Sequence, residues 1–548
     1  MHSQHDQLRQ QLSTLTLEQL HCLDGLIRRE SRHDQPRPQL TAYVTIKDAA
    51  VNPTALKDRV AAQLPQYMIP TVLVELDEMP YLPNGKLDTK RLPTPLLLRE
   101  QGAKVGADTE SFNQFAQILA ELLGMDIIHP DDNFFELGGD SITAIKLISR
   151  CREAGLNLSI KAVTSARTLA EIIAAGLEDK PKATKAQHKA TGLCPLTPIQ
   201  HWFFAQSHPA PQRWNLAGVV TLPDGLDPER LAQSIHTAVR EHPVLGTAFR
   251  PSEYGWRALI PSTSPPELFS QHDSDDAEAV ANTLQQAFEL ESGWLMRFAL
   301  FADGKSLVWV AHHLIIDHLS IEPLISAIRR RYDDSDTASE QTSVSYREWS
   351  LRLEQLQKDR NGTPPDATAS PDEPASTQQR PREADCDTAG VTLPVLSDDP
   401  SSAPEATLHD LLLLCLGNAL RETLETDSLI IDIETHGRDQ LGGDVDTAGS
   451  VGWFTSFHPQ VFNPPPNATL TEQLRHMRDT THAMHDAAQH YLLDRNGRRG
   501  DDTPAGQPSV LFNFTGARSD DAAAWTNRFE HWYCLRDPQN VRAHDLEF

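Results

Sequence analysis

Ser141 is a serine whose surroundings could carry a phosphate group. It follows Gly138, Gly139 and Asp140, and residues 142–150 after it have the apolar spacing of a helix. A hydroxyl at a helix N-terminus meets free N–H groups and the positive end of the helix dipole, which favour a phosphate. The alternative is an ordinary helix cap, which is the commoner role of a Gly-Asp-Ser string.

A histidine pair follows an apolar run that has the composition of a buried strand. Residues 307–311 lead directly to His312 and His313, and Asp317 and Ser320 follow. A histidine in this position is most often a satisfied core residue, and a histidine doublet indicates a metal only weakly. No Cys, His and carboxylate cluster at ligand spacing accompanies the pair, so no metal is expected.

The bulk composition excludes several classes of protein. The chain has 548 residues, which predicts three or four domains, with 39% hydrophobic and 23% charged residues. A formal charge of −27 argues against a nucleic-acid surface, and the apolar runs are too short to span a membrane. The six cysteines are scattered singly and the N-terminus has no signal-peptide pattern, so a cytoplasmic protein with reduced thiols is expected.

The elements that must position these residues divide the chain into parts. Residues 1–97 read as a small α+β subdomain, with strands at 42–46 and 71–76. Residues 108–178 read as an all-α region, because apolar residues in 112–123 recur at helical spacing. Strands and helices mix over 193–548. Within it, residues 359–405 are rich in Pro, Ser, Thr and Asp and are expected to be a disordered insertion between lobes 193–358 and 406–548.

Residues 132–142 (Asp-Asn-Phe-Phe-Glu-Leu-Gly-Gly-Asp-Ser-Ile) resemble the phosphopantetheine attachment site of peptidyl carrier domains almost letter for letter. The resemblance implies a four-helix carrier bundle, 4′-phosphopantetheine on Ser141, and a phosphopantetheinyl transferase as a partner. Asp before the serine is typical of carriers that feed an epimerisation domain. Residues 64–70 and 82–88 look like the last two motifs of an adenylation domain, in which Lys86 would bind the acyl-adenylate. The large adenylation subdomain has no counterpart here, so the chain alone is expected not to activate amino acids.

Residues 312–320 resemble the His-His-x-x-x-Asp-Gly-x-Ser signature shared by condensation and epimerisation domains of nonribosomal peptide synthetases. That resemblance implies a two-lobed α/β fold like chloramphenicol acetyltransferase, with its second lobe incomplete at Phe548. It also implies that His313 faces a tunnel for the pantetheine arm, beside His312. Asp317 is commonly structural in this family and pairs with an arginine, for which Arg438 is the candidate.

Further stretches favour the epimerisation branch of this superfamily. Residues 195–204 look like its opening motif, 434–439 resemble Glu-Gly-His-Gly-Arg-Glu, and 451–456 match another motif. Asn513 lies in a stretch that resembles Phe-Asn-Tyr-Leu-Gly, and residues 346–349 fit the helix that closes the first lobe. The substrate implied is an aminoacyl thioester, and the partners implied are a downstream condensation domain or other synthetase modules, for antibiotic or other secondary metabolite biosynthesis.

Inversion of an α-carbon requires one group that removes a proton and another that returns one to the opposite face. His313 suits the first role near neutral pH without much tuning, and Glu434, at the end of the apolar strand 429–433, suits the second if burial raises its pKa. The sequence leaves open which group acts on which face.

The sequence departs from the family pattern at several positions, and two alternatives remain open. His318 stands where the family prefers Gly and could crowd the tunnel floor, while Ile321 replaces Trp, Thr435 replaces Gly, and Phe514 lacks a tyrosine hydroxyl. One alternative is a condensation domain that forms a peptide bond between two carrier-bound residues. The other is a non-catalytic carrier fragment whose last domain only docks proteins.

Overall fold

A computed structural model describes residues 41–44, 72–75, 109–178, 189–360, 382–385, 408–483, 490–494, 510–514 and 525–548. Short gaps lie inside these ranges, at 124, 126–127, 135–136, 138, 140, 157, 160–161, 164–165, 167, 254, 275, 335–342, 427, 442–444, 466–467 and 530–532. Lys86 and the helical part of the α+β subdomain predicted at residues 1–97 lie outside the described residues.

The described helices are, in chain order, Thr109–Leu123 (α1), Ser141–Glu153 (α2), Leu169–Glu178 (α3), Pro198–Ala205 (α4), Pro228–Glu241 (α5), Ala277–Leu284 (α6), His318–Asp333 (α7), Tyr346–Arg360 (α8), Leu408–Leu424 (α9) and Leu470–Ala483 (α10). The described strands are Thr41–Val44 (β1), Val72–Glu75 (β2), Gly192–Cys194 (β3), Trp214–Thr221 (β4), Ala248–Ser252 (β5), Gly255–Ile260 (β6), Phe269–His272 (β7), Met296–Phe301 (β8), Ser306–His312 (β9), Leu429–Thr435 (β10), Ser456–Phe462 (β11), Val510–Phe512 (β12), Thr526–Arg528 (β13), Cys534–Arg536 (β14) and Leu546–Glu547 (β15).

The described residues fall into two compact units. One of them contains β1, β2, α9 and the first half of α10. In this unit β1 and β2 pair in parallel, and the Asn418 amide of α9 donates to Gln473 Oε1 of α10 at 2.8 Å. The other unit contains the helical region 110–178 and the mixed region that follows.

The helical region packs its own apolar core in the second unit. Phe115 and Leu119 of α1 are fully buried against Leu147 and Ile148 of α2 and the apolar face of α3. This burial follows from the i, i+4 spacing of the apolar residues, which places them on one face of each helix. The helices expected at 112–123 and 142–150 are present. The four-helix count stays a prediction.

The largest sheet has the strand order β13-β4-β9-β8-β7, with β14 also paired to β4. Strands β4 and β9 are buried along almost their whole lengths, which is typical of central strands covered on both faces. Helix α5 begins at Pro228, where the Asp227 carboxylate accepts from the Glu229 N–H at 2.9 Å, and α5 packs against α7. The buried strand predicted at 307–311 is confirmed as β9.

A second sheet has the order β11-β10-β12-β15, and β3, β6 and β5 form a third. The division into lobes 193–358 and 406–548 misses one feature of the main sheet. Strands β13 and β14 come from the last part of the chain but pair antiparallel with β4. Pairing of this kind covers N–H and C=O groups that an edge strand would expose, and such a distant partner leaves no local signal in the sequence.

The expectation that residues 359–405 are wholly disordered is wrong in its described part. Helix α8 continues to Arg360, and residues 383–385 form a short 3-10 helix. Arg382 makes an isolated bridge with Val541, and Glu383 forms an ion pair with Arg536 at 2.9 Å. These contacts hold a polar segment that has few apolar residues of its own.

Among the described helices, none combines the length and the apolar character that a membrane crossing needs.

Candidate active site

His312 ends strand β9 and is fully buried. Its Nδ1 accepts from the Leu314 N–H at 3.0 Å, so the proton is assigned to Nε2, which lies 2.8 Å from the Pro211 carbonyl oxygen. Burial lowers the pKa of His312 to about 4, because a charged imidazolium would lose its hydration there. With both ring nitrogens bonded inside the protein, His312 fixes the turn that follows β9.

His313 is half-buried in the turn that leaves β9. Its ring lies against the indole of Trp453, with centroids 4.6 Å apart, and Nδ1 is enclosed without a hydrogen-bond partner among the described residues. Burial, and after it the charge of the nearby His318, lower the pKa of His313 to about 3. The expectation that His313 needs little tuning is therefore wrong. With a pKa of about 3, the imidazole is neutral near pH 7.

Glu434 lies near the end of β10, opposite Phe457 of β11. Burial, and after it the negative charge of Glu547, raise the pKa of the Glu434 carboxyl to about 7. The upward direction is the one that an acid at neutral pH requires, and the acid role expected for Glu434 depends on it. About half of the Glu434 side chains would carry a proton near pH 7.

Arg536, on β14, brings a positive charge to the same region, and sequence reasoning missed it. Its charge acts on both Glu434 and His313. The guanidinium lies 4.2 Å from the ring centroid of Trp214 and forms ion pairs with Glu383 at 2.9 Å and Glu547 at 3.1 Å. Burial opposes the charge, but these carboxylates raise the pKa of Arg536 above its ordinary value. Residues 534–537 (Cys-Leu-Arg-Asp) carry no motif that marks this arginine.

Asp317 and Arg438 form the ion pair that the sequence analysis expected, with Nη2 and Oδ1 3.0 Å apart. Asp317 caps helix α7 through the Ser320 N–H, and its Oδ2 accepts from the Phe454 N–H at 3.1 Å. Arg438 donates through Nη1 to the carbonyls of Thr447 and Ser450, at 2.7 and 2.9 Å. The pair thereby ties the turn after β9 to residues 447–454, which carry Trp453 beside His313.

Two glycines allow this close packing. Gly437 has φ +61°, and a Cβ there would collide with the Phe454 carbonyl oxygen. A Cβ at Gly452 would collide with the ring of Tyr346, whose hydroxyl donates to the Trp453 carbonyl at 2.9 Å. Both glycines therefore set the position of the Trp453 indole against His313.

His318 fills space beside the candidate base, as the departure from glycine suggested. Its ring centroid lies 4.8 Å from that of Phe529, 5.4 Å from Tyr533 and 6.2 Å from His313. Ile321, the other departure on α7, is buried in the apolar core.

Asn513 lies just after β12, where its backbone N–H donates to the Phe548 carbonyl at 2.8 Å.

Ser141 is the first residue of α2, as the phosphate hypothesis requires. Before it, the Gly139 N–H donates to the Phe134 carbonyl at 3.0 Å, and a Cβ at Gly139 would overlap the buried Phe134 ring. The free N–H groups at a helix start favour a phosphodiester on a serine hydroxyl. The described residues thus fit a phosphopantetheine group on Ser141. No group of three or more metal-binding side chains occurs among the residues with assigned positions.

Comparisons with known proteins agree with these features. Residues 113–175 match the phosphopantetheine attachment site family, and residues 190–364 and 374–531 match the condensation domain family. One of the linear gramicidin synthase chains of Brevibacillus parabrevis is 30% identical over 459 residues, which cover 78% of this chain and 9% of that protein. The chain therefore spans about a tenth of the length of that relative.

Solved structures show the same fold. The epimerization domain from the third module of tyrocidine synthetase B has a TM-score of 0.55 and 22% identity, over 65% of this chain and 86% of that one. The condensation domain from the Monacolin K polyketide synthase MokA has a TM-score of 0.50 and 15% identity, over 63% and 87%. These likenesses support the chloramphenicol-acetyltransferase-like α/β fold and do not separate epimerisation from condensation. The first family match implies that the prosthetic group is 4′-phosphopantetheine. The chain belongs to the condensation domain family, and it joins that domain to a phosphopantetheine carrier domain in the arrangement of a nonribosomal peptide synthetase.

Proposed function

We propose that this chain inverts the α-carbon of an aminoacyl group that is held as a thioester on the arm of Ser141. The observation that carries the proposal is that the pKa of His313 is lowered and the pKa of Glu434 is raised. The charge of Arg536 acts on both groups. Burial keeps His313 neutral, with a pKa of about 3, and raises the pKa of Glu434 to about 7. A pair of titratable groups pushed apart in this way is typical of an acid and a base in one site.

The order of the two pKa values supports an assignment of the two roles. Near neutral pH the neutral His313 can accept a proton, while the protonated fraction of Glu434 can donate one. The reverse assignment needs an imidazolium and a carboxylate together, and that state is rare when the His313 pKa lies below that of Glu434. We therefore assign His313 to proton removal from the L isomer and Glu434 to proton return on the opposite face.

The surrounding residues would lower the cost of the charges that form. The thioester link on the bound arm makes the α-proton more acidic, because the carbonyl oxygen takes up the negative charge. Imidazolium formation at the buried His313 is unfavourable by itself, but a negative charge beside it offsets that cost. Arg536 is the described cation that acts on both His313 and Glu434, and it would stabilise the same negative charge.

The chain would receive its arm from a phosphopantetheinyl transferase and pass its product to a downstream condensation domain or another synthetase module. Residues 1–97 would be the C-terminal subdomain of an adenylation domain, with Lys86 as its lysine. These assignments rest on the sequence resemblance and on the carrier family match.

The experiment is to load Ser141 with an L-aminoacyl-pantetheine in D₂O and to follow the α-carbon. Inversion predicts deuterium at the α-carbon together with a growing D fraction. His313→Ala should reduce both by about 10²–10⁴, the usual contribution of a general base. His272→Ala, on strand β7, is the matched control and should change neither. A wild-type chain that shows neither exchange nor inversion, but joins the residue to an amine on a second carrier, would establish condensation instead.

A further inference from the structure

The C-terminal end of helix α2, in the carrier domain, forms ion pairs with the condensation-family domain. Arg152 Nη2 lies 2.6 Å from Asp446 Oδ2, and Arg152 Nη1 donates to Ser343 Oγ at 2.8 Å. Arg150 Nε lies 3.9 Å from Glu322 Oε1 of α7. Both domains belong to the same compact unit. The Arg152 and Asp446 side chains are only 21% and 29% exposed, so water screens this pair less than a surface pair.

Arg152 binds a loop of the condensation-family domain, and a buried residue of that domain anchors this loop. Residues 445–450, named here the docking loop, carry Asp446. The carbonyls of Thr447 and Ser450 in this loop bind the buried Arg438 guanidinium. Asp446 Oδ1 also accepts from the Ala448 N–H at 3.1 Å. The carboxylate is therefore presented in a fixed position, which reduces the entropy lost when a cation binds.

The docking loop also offers an apolar contact and a space for the guanidinium. Ala448 is 1% exposed and packs with the apolar core of the carrier domain. A Cβ at Gly449 would lie 2.9 Å from both Arg152 Nη1 and Ser343 Oγ. A glycine at this position thus leaves room for the arginine. A small apolar core with charged pairs at its side is the usual composition of a specific protein interface.

The contact uses the end of α2 that lies away from the modified serine. Arg152 lies eleven positions after Ser141, which corresponds to about 16 Å along a helix. We propose that the docking loop, with Ser343 and Glu322, is the site by which the condensation-family domain recognises a carrier domain that has arginines at the end of this helix. Its occupant is the chain's own carrier, which docks by this end and leaves the Ser141 end for the arm. This proposal rests on the two family assignments and does not require inversion.

Hydrogen exchange of the intact chain measures docking directly. Arg152→Ala should raise amide exchange in residues 445–450 by about tenfold, because it removes a charge-assisted pair and a hydrogen bond. Asp446→Asn keeps the oxygen that accepts from Ala448 but removes the charge, and it should act in the same direction. Arg240→Ala removes an exposed arginine at the end of α5 and should leave exchange in the docking loop unchanged. Unchanged protection of β4 and β9 shows that each variant is folded.

A charge swap and an activity comparison complete the test. Arg152→Glu alone should weaken docking more than Arg152→Ala, and Asp446→Arg added to it should restore protection of residues 445–450. Arg152→Ala should slow inversion of a thioester on Ser141 and leave inversion of free aminoacyl-pantetheine unchanged. If Arg152→Ala leaves exchange in residues 445–450 at the wild-type rate, the docking proposal is wrong. If neither substrate is inverted by any variant, the proposed function fails and the exchange result still decides on docking.

Discussion

The Arg438 guanidinium and the Asp317 carboxylate form a buried ion pair, with side chains 0% and 6% exposed and 3.0 Å between Nη2 and Oδ1. Arg438 also lies over the Phe454 ring, with Cζ 4.1 Å from its centroid. Asp317 starts the helix that follows the His313 turn, and Arg438 holds residues 447–450. One pair therefore connects the candidate base to the docking loop.

Removal of Arg438 should destabilise the protein strongly. Arg438→Ala leaves Asp317 charged, buried and without its cation, and this is expected to reduce the free energy of unfolding by about 3–5 kcal/mol. Denaturant unfolding followed by tryptophan fluorescence measures the change. Arg257→Ala, at an exposed position of β6, is the matched control and should cost less than about 0.5 kcal/mol.

A double variant separates the ion pair from other effects of the substitution. In the Arg438→Ala background, Asp317 has already lost the cation with which it pairs. Asp317→Ala should therefore reduce the free energy of unfolding less in that background than in the wild type. Additive losses would contradict the view that these two residues stabilise the fold as a pair.

Ser141→Ala should block attachment of phosphopantetheine. Incubation of the chain with coenzyme A and a phosphopantetheinyl transferase is expected to add one arm at the start of α2, where a phosphodiester is favoured. Intact mass spectrometry measures the addition. Ser111→Ala, in the neighbouring helix α1, is the control and should be modified like the wild type. Modification that persists in Ser141→Ala would disprove the site.

Much of the site could be predicted where the signal is local. The apolar run before His312 predicts a buried strand, and β9 is that strand. The ion pair between Asp317 and Arg438 could also be predicted, because each residue lies in a motif of the family. Membership of the synthetases and the phosphopantetheine group followed from the string around Ser141, and both family matches confirm them.

The parts that could not be predicted depend on contacts between distant segments. Arg536 reaches the site because β14 pairs with β4, more than 300 residues away in the chain. Glu383 is held by the same arginine, although its segment has the composition of a disordered chain. The pKa of His313 depends on burial beneath Trp453 and on His318, and the sequence reveals neither distance.

His318→Gly should raise the pKa of His313 from about 3 toward its ordinary value. The substitution opens the buried space around His313 to water and removes a neighbouring positive charge, and both changes favour the imidazolium. Titration of the histidine ring signals by NMR measures the shift. His318→Phe is the control, because it keeps a ring in this space while removing the charge, so its shift should be smaller. Equal pKa values in wild type and His318→Gly would show that residue 318 does not tune the base.

The pH dependence of inversion should follow the protonation of the Glu434 carboxyl. Inversion of the L isomer requires His313 without a proton, which holds above its pKa of about 3, and Glu434 with a proton, which holds below its pKa of about 7. The rate is therefore expected to be constant from about pH 5 to 6.5 and to fall about tenfold for each pH unit above 7. Chiral analysis of the residue released from Ser141 measures the rate. A rate that rises through pH 7 would reverse the assignment of the two roles.

Glu434→Gln tests the same carboxyl by a second route. The amide keeps the size of the side chain and its capacity for hydrogen bonds, but it has no proton to give near pH 7. Inversion should slow by about 10²–10⁴ and lose the fall above pH 7, since the titrating group is gone. Deuterium should still enter the L isomer, because His313 can remove the α-proton, exchange it with D₂O as imidazolium, and return a deuteron to the same face. Loss of deuterium entry together with inversion would mean that Glu434 takes part in proton removal itself.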